Sequence, residues 1–136
     1  MDASKLKSLD LFSSLTDDER ERIAQWTDEI EIETGHHLIR KDGFSYEFFV
    51  ILEGTAEAMD GDIHLADMTA GDFFGEIGIG HSPRRTASVR ATSPMRLLVM
   101  GRPQYLSMES QLPSVAERIK TRIADRMENS RLSQLR

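Results

Sequence analysis

Gly71–Ala91 reads GDFFGEIGIGHSPRRTASVRA, and the rest of the chain can be read outward from it. It holds four glycines, an acid directly after one of them, and two arginines followed by small residues. Gly75 permits backbone geometry closed to other residues and lets a ligand approach the main chain. Glu76 to Gly80, with Ile77 and Gly78 inside it, is long enough for one helical turn whose free N–H groups would face an anion. Arg85 supplies a planar fork that suits two phosphate oxygens at once. Thr86, Ala87 and Ser88 are small enough for the main chain to lie against the same phosphate. Glu76 is the odd member, because a carboxylate repels a phosphate. It fits a ligand that also donates hydroxyls, as a ribose does. A phosphate and a sugar hydroxyl on one small ligand point to a nucleotide.

These residues resemble the phosphate-binding cassette of cyclic nucleotide-binding domains, as in bacterial cAMP receptor proteins, protein kinase A regulatory subunits and cyclic-nucleotide-gated channels. That family's pattern is Phe-Gly-Glu, a short helix, then Arg, two small residues, any residue and Val. Here it is matched by Phe74-Gly75-Glu76 and Arg85-Thr86-Ala87-Ser88-Val89. The resemblance implies that Arg85, Thr86, Ala87, Ile77 and Gly78 hold the phosphate, and that Glu76 and Gly75 hold the ribose. One departure concerns register. The family often has Pro directly before its arginine, which would select Arg84 after Pro83, whereas the spacing to Ala87 and Val89 and the gap from Glu76 select Arg85. Arg85 is the reading adopted, with Arg84 a second, more exposed charge. Leu65 and Ala58 match positions that line the base by apolar contact. Thr86 shifts the odds towards cGMP without deciding, and the overall reading favours cAMP over cGMP.

The flanking pattern fits a roll of short strands. From Ile30 the apolar period is two, through Ile32, Leu38 and Ile39, with Gly35 between. Lys41-Asp42-Gly43 reads as a turn, Tyr46–Leu52 as a β-prone run closed by Gly54, and Met59-Asp60-Gly61-Asp62 as a hairpin tip. Ile63, Leu65 and Met68 continue the next strand, and Val89 and Met95–Met100 give the closing ones. The expected fold is mainly β with flanking helices: a double-stranded β-helix (jelly-roll) β-roll at 28–101, an N-terminal helical segment at 4–27 and C-terminal helices at 102–136. The order of glycines at 35, 43, 54, 71 and 75 also matches the family's roll, and the resemblance spans nearly the whole chain.

At the N-terminus Leu6, Leu9, Phe12 and Leu15 form one apolar set, read as helical from 4 to 26. Thr16-Asp17-Asp18-Glu19 is a helix start with acids in its first turn, and Ile23 and Trp26 should face the core. After Arg102 the chain is helical again, with Pro103 in the first turn and a break near Pro113. Val115, Ile119, Ile123 and Met127 then recur every fourth residue. Arg118, Arg122 and Arg126 lie on an adjacent stripe, whose plain reading is a solvated basic face. In the family the last helix folds over the nucleotide and caps the base, which makes Ile119, Ile123 and Met127 the cap candidates. The same stripe allows pairing into a homodimer.

Composition bounds the alternatives. One chain of 136 residues is a single domain able to bury a core. It has no cysteine, which excludes disulfides and thiolate metal sites and fits a cytoplasmic setting. No apolar stretch approaches a membrane span. A net charge of −6 argues against nucleic-acid binding, and the positive charge is concentrated at Arg84, Arg85 and Arg90. His36 and His37, adjacent on a presumed strand, point to opposite faces and cannot chelate one metal, and His64 and His81 lie far away. His81, inside the cassette, lacks an orienting acid for catalysis. The expectation is therefore a binding domain and not an enzyme, with no metal and no cofactor beyond its cAMP or cGMP ligand. A degenerate roll serving as a protein-interaction scaffold and a cupin-type barrel enzyme are the alternatives. About 36 residues follow Met100, too few for a winged helix or a kinase domain, so the signal goes to a separate protein partner or to an effector domain of a longer chain.

Overall fold

The computed structural model describes residues 2–39, 47–75 and 88–134. Two short 3-10 helices, Ala3–Ser8 and Asp10–Phe12, precede helix α1 at Asp17–Trp26. Among the described residues eight strands follow: β1 (Asp28–Ile32), β2 (His37–Ile39), β3 (Glu47–Glu53), β4 (Ala56–Asp60), β5 (Ile63–Met68), β6 (Phe73–Phe74), β7 (Ser88–Ala91) and β8 (Met95–Gly101). Helices α2 (Arg102–Gln111) and α3 (Pro113–Gln134) close the chain.

The N-terminal helical segment is built of three short pieces. Leu6, Leu9, Phe12 and Leu15 are all buried, and they recur every third residue. Leu6 and Phe12 lie in the two 3-10 helices, whereas Leu9, with φ -91 and ψ 123, is the extended joint between them, and Leu15 follows the second before α1 begins. The start of α1 is local chemistry. Thr16 Oγ1 accepts from the Glu19 N–H at 3.2 Å, and Glu19 Oε1 accepts from the Thr16 N–H at 2.9 Å. This capping box, with Asp17, Asp18 and Glu19 in the first turn, satisfies donors the helix leaves open. Ile23 is fully buried, and Trp26 packs half-buried against the same core.

The strands form two four-stranded antiparallel sheets, ordered β1-β8-β3-β6 and β2-β7-β4-β5. Strand β3 shows why three layers result. Phe48, Phe49, Val50 and Ile51 are all buried, although a strand sends alternate side chains to opposite faces. Phe48 and Val50 join Phe73, Leu98 and Met100 against the helices. Phe49 and Ile51 join Phe74, Val89 and Leu97 in the interior of the roll. The first sheet is thus a middle layer between helices and second sheet. Phe48 lies 5.1 Å from Tyr105 of α2, and Phe49 stacks on Phe74 at 4.9 Å.

Turn chemistry fixes the joints. At the β4–β5 tip Gly61 has φ 60, as the Asp-Gly pair requires. Gly54, between β3 and β4, has φ 97 and lies against the Pro94 carbonyl at the start of β8. The expected turn at Lys41-Asp42-Gly43 lies outside the described residues.

Candidate functional site

The glycine-rich segment connects the two sheets. It leaves β6 of the middle layer at Gly75 and rejoins the second sheet at Ser88, the first residue of β7. Both ends are anchored. Gly71 N–H donates to the Ile51 carbonyl at 2.9 Å, and Ile51 N–H to the Asp72 carbonyl at 2.8 Å, which extends the β3–β6 pairing (Phe49 with Phe74, Val50 with Phe73). Gly75 follows with φ 96, a conformation that side chains resist. On the other side Ser88 pairs with Met59 and Val89 with Ala58. Glu76, Ile77, Gly78, His81, Arg84, Arg85, Thr86 and Ala87 lie outside the described residues.

The base-side candidates sit beside the point where this segment rejoins the sheet. Ala58 is half-buried and pairs with Val89 on one side and Ala66 on the other. The β4–β5 register then slips, Met59 pairing with His64, so Leu65 is the extra residue of a β-bulge. Leu65 is 53% exposed and Ile63 is 65% exposed. Sequence reasoning named Leu65 and missed Ile63 as a second uncovered apolar side chain on that strand.

The C-terminal helix carries both an expected cap candidate and the expected basic stripe. Ile119 is 1% exposed within the core that the helices share with the middle sheet, so in this arrangement it is not free to cap a ligand. The side chains of Ile123, Arg126 and Met127 are outside what is described. Arg118 and Arg122 are not a solvated face. Arg118 Nη1 donates to the carbonyls of Asp10 at 2.9 Å and Leu11 at 3.0 Å, and its Nη2 meets Ser14 Oγ. Arg122 pairs with the Asp10 carboxylate, reaches the Gly71 carbonyl at 3.5 Å, and lies 5.8 Å from the Phe73 ring centroid.

Arg90 also departs from expectation. Strand alternation turns Val89 and Ala91 into the roll and Arg90 outward, where it pairs with Glu57 at 2.5 Å. The neighbouring His64 stands between two acids, Nδ1 at 3.6 Å from Glu57 and Nε2 at 3.4 Å from Asp67. Nothing in the spacing of these residues announces the group, because Glu57 comes from the paired strand and the bulge brings Asp67 round to His64. Its three side chains present ligand-type atoms within 4.8 Å of one another. Arg90 is already on Glu57, so that carboxylate is engaged by a cation of the neighbouring strand. Among the described residues, no helix is long and apolar enough to cross a membrane.

The family model for the cyclic nucleotide-binding domain matches residues 29–111, more than half of the chain. The chain belongs to that family. Among curated relatives, the cAMP-dependent protein kinase regulatory subunit of Schizosaccharomyces pombe is 29% identical over 103 residues, 75% of this chain and 25% of that protein. The chain spans about a quarter of the length of the curated relatives it matches. The fold is shared with the regulatory domain of Toxoplasma gondii PKA solved with cAMP, at TM-score 0.78 and 23% identity over 90% of this chain and 48% of that one. It is shared too with the catabolite activator protein of Thermus thermophilus, at TM-score 0.80 and 22% identity over 91% of this chain and 61% of that one. The expected β-roll with flanking helices is therefore the fold of this cyclic nucleotide-binding domain.

Proposed function

We propose that this domain is a cyclic nucleotide sensor, cAMP favoured over cGMP, that signals through its flanking helices and performs no catalysis of its own. Support comes above all from one juxtaposition. The segment carrying Glu76 and Arg85 is strung between β6 and β7, and the β4–β5 ribbon beside its return carries the uncovered Leu65 and Ile63. In this reading Arg85, with the main chain of Ile77, Gly78, Thr86 and Ala87, holds the cyclic phosphate. Glu76 accepts from the ribose 2′-hydroxyl beside Gly75. The base lies along Ala58 and Leu65, with Ile123 or Met127 of α3 as its cap. Binding energy at the segment favours one arrangement of the helices over another, and that difference is the signal. Its recipient is a separate protein partner or another domain of a longer chain.

Thermal unfolding with cAMP, cGMP and AMP tests the reading. Ligand at about one hundred times its dissociation constant adds roughly 2.7 kcal/mol to the folded state, a rise in Tm on the order of 10 °C for a domain this size. AMP should give little, because it lacks the ring-closed ester. Arg85→Ala should weaken binding by about two to three orders of magnitude, since it removes charge-assisted bonds of about 1.5–3 kcal/mol each. Arg84→Ala should do far less. Equal losses would overturn the chosen register, and no response to either cyclic nucleotide would favour the scaffold alternative.

A further inference from the structure

We infer that Arg118 and Arg122 form a latch holding α3 against the N-terminal segment in an arrangement that leaves the base side of the ligand site uncovered, so that breaking it tightens nucleotide binding. The inference deepens the sensor reading and rests on it. The segment from Asp10 to Leu15 makes single-turn bonds of its own, Ser13 N–H to the Asp10 carbonyl at 3.3 Å and Leu15 N–H to the Phe12 carbonyl at 3.2 Å, and arginines add donors to its carbonyls from two sides. Buried Arg20 of α1 donates to the carbonyls of Phe12 and Ser13, both at 3.4 Å, and of Leu15 at 2.5 Å. Arg118 of α3 takes those of Asp10 and Leu11, and Arg122, one turn later, takes the Asp10 carboxylate. Arg122 also reaches Gly71 and the face of Phe73, so the same side chain touches the strand from which the ligand segment departs.

The direction of the effect follows from geometry. Helix α3 runs unbroken over 22 residues, and Ile119 is sunk in the core between the two arginines. A helix pinned over that turn has the course of its later turns set. With α3 so pinned, Ile63 and Leu65 remain open to solvent. Covering them requires α3 to bend or to leave its arginine bonds behind, and every such bond that must break on the way favours the uncovered state. Removing the bonds beforehand raises the population competent to close, and apparent affinity rises in proportion.

The test uses Arg122→Gln and Asp10→Asn in the full chain, with Arg122→Lys as a variant that keeps the charge but cannot bridge Asp10, Gly71 and Phe73 together. Two readouts are taken. Calorimetry with cAMP should show about three- to tenfold tighter binding for Arg122→Gln and Asp10→Asn, the scale set by a partly exposed ion pair with added hydrogen bonds. Arg122→Lys should fall between them and the unaltered chain. Hydrogen exchange in ligand-free protein should show faster exchange at residues 10–15 and 113–125, with strands β3 and β8 unchanged as proof of folding. Unchanged exchange, or unchanged or weaker affinity, overturns the latch. If the unaltered chain binds neither cAMP nor cGMP, the sensor reading fails, and exchange in the ligand-free variants still decides whether the arginines pin the helix.

Discussion

Replacing Gly54 with alanine tests how the layers are joined, and its cost can be worked from geometry. The residue has φ 97, and an added Cβ would stand 2.4 Å from the Pro94 carbonyl oxygen, 2.9 Å from Met95 Cα and 3.0 Å from Met95 Cγ. The first two neighbours are backbone and cannot rotate aside. The left-handed conformation alone costs a residue with a Cβ roughly 1–2 kcal/mol. Forcing the β3–β4 turn off the start of β8 adds about 1–3 kcal/mol, the usual scale of overpacking. Together these give roughly 2–5 kcal/mol, or on the order of 10 °C in Tm for a chain of this length. The control is Gly61, whose φ is 60 and whose added Cβ would meet nothing within 4 Å. Gly61→Ala should lose only the conformational part, and Gly61→Asn less again, since asparagine tolerates that region. Urea titrations followed by circular dichroism measure all three on one scale. If Gly54→Ala and Gly61→Ala differ by less than about 0.5 kcal/mol, the close packing of the turn against Pro94 has no energetic weight.

Ile119→Ala should destabilise the domain by about 2–5 kcal/mol, as truncation of a core side chain does, and denaturant titration shows it; a loss below about 0.5 kcal/mol would return Ile119 to the ligand caps. Glu76→Gln should weaken cAMP but not its 2′-deoxy analogue in parallel calorimetric titrations, and an equal loss for both removes the ribose role. Glu29 is hydrogen-bonded by Lys5 at 2.9 Å and lies near Arg96, which together hold its carboxyl below the ordinary glutamate range. A depressed folded value means this stability is present above about pH 4.3, the unfolded value, and is lost as pH falls through the folded one. Glu29→Gln should therefore be less stable than the unaltered chain at neutral pH, with the gap closing in acid; a constant gap from pH 7 to 3 would refute the pairing.

What can be read from the sequence is what depends on neighbours along the chain. Thr16 and Glu19 cap α1 by reaching three residues, and Asp60-Gly61 turns the β4–β5 hairpin by itself. The run Phe48–Ile51 is legible as a strand, but that its two faces belong to different cores depends on Tyr105 and Phe74, far away in sequence. Leu6, Leu9 and Phe12 read as one helical run because they are apolar and regularly spaced, but the extended backbone at Leu9 divides that run into two 3-10 turns. The arginines of α3 escape a sequence reading for a plainer reason. Their acceptors are mostly backbone carbonyls, those of Asp10 and Leu11 lying more than a hundred residues earlier, and carbonyls carry no mark in a sequence. Glu57, His64 and Asp67 come together through strand pairing and a bulge that the period of two does not announce.

The two ends of the ligand segment are not equivalent, and the difference bears on how a bound ligand would be felt by the helices. At the β7 end Val89 and Ala91 face the roll interior. At the β6 end two consecutive residues face opposite ways: Phe74 stacks on Phe49 inside the roll, and Phe73 enters the helical core under Arg122. Strand β6 is two residues long and is held by its pairing with β3. A displacement of the segment at Gly75 therefore pulls at once on the roll core and on the helical core. Packed cores respond to such a pull by choosing between discrete arrangements, not by stretching. In the sensor reading proposed above, the Phe73-Phe74 pair would transmit and the arginines of α3 would set the threshold. Phe73→Leu, which keeps an apolar filling but removes the ring beneath Arg122, should uncouple ligand binding from hydrogen exchange in α3, while Phe74→Leu weakens the roll alone. If cAMP still slows or speeds exchange in α3 of Phe73→Leu as it does in the unaltered chain, the ring is not the route.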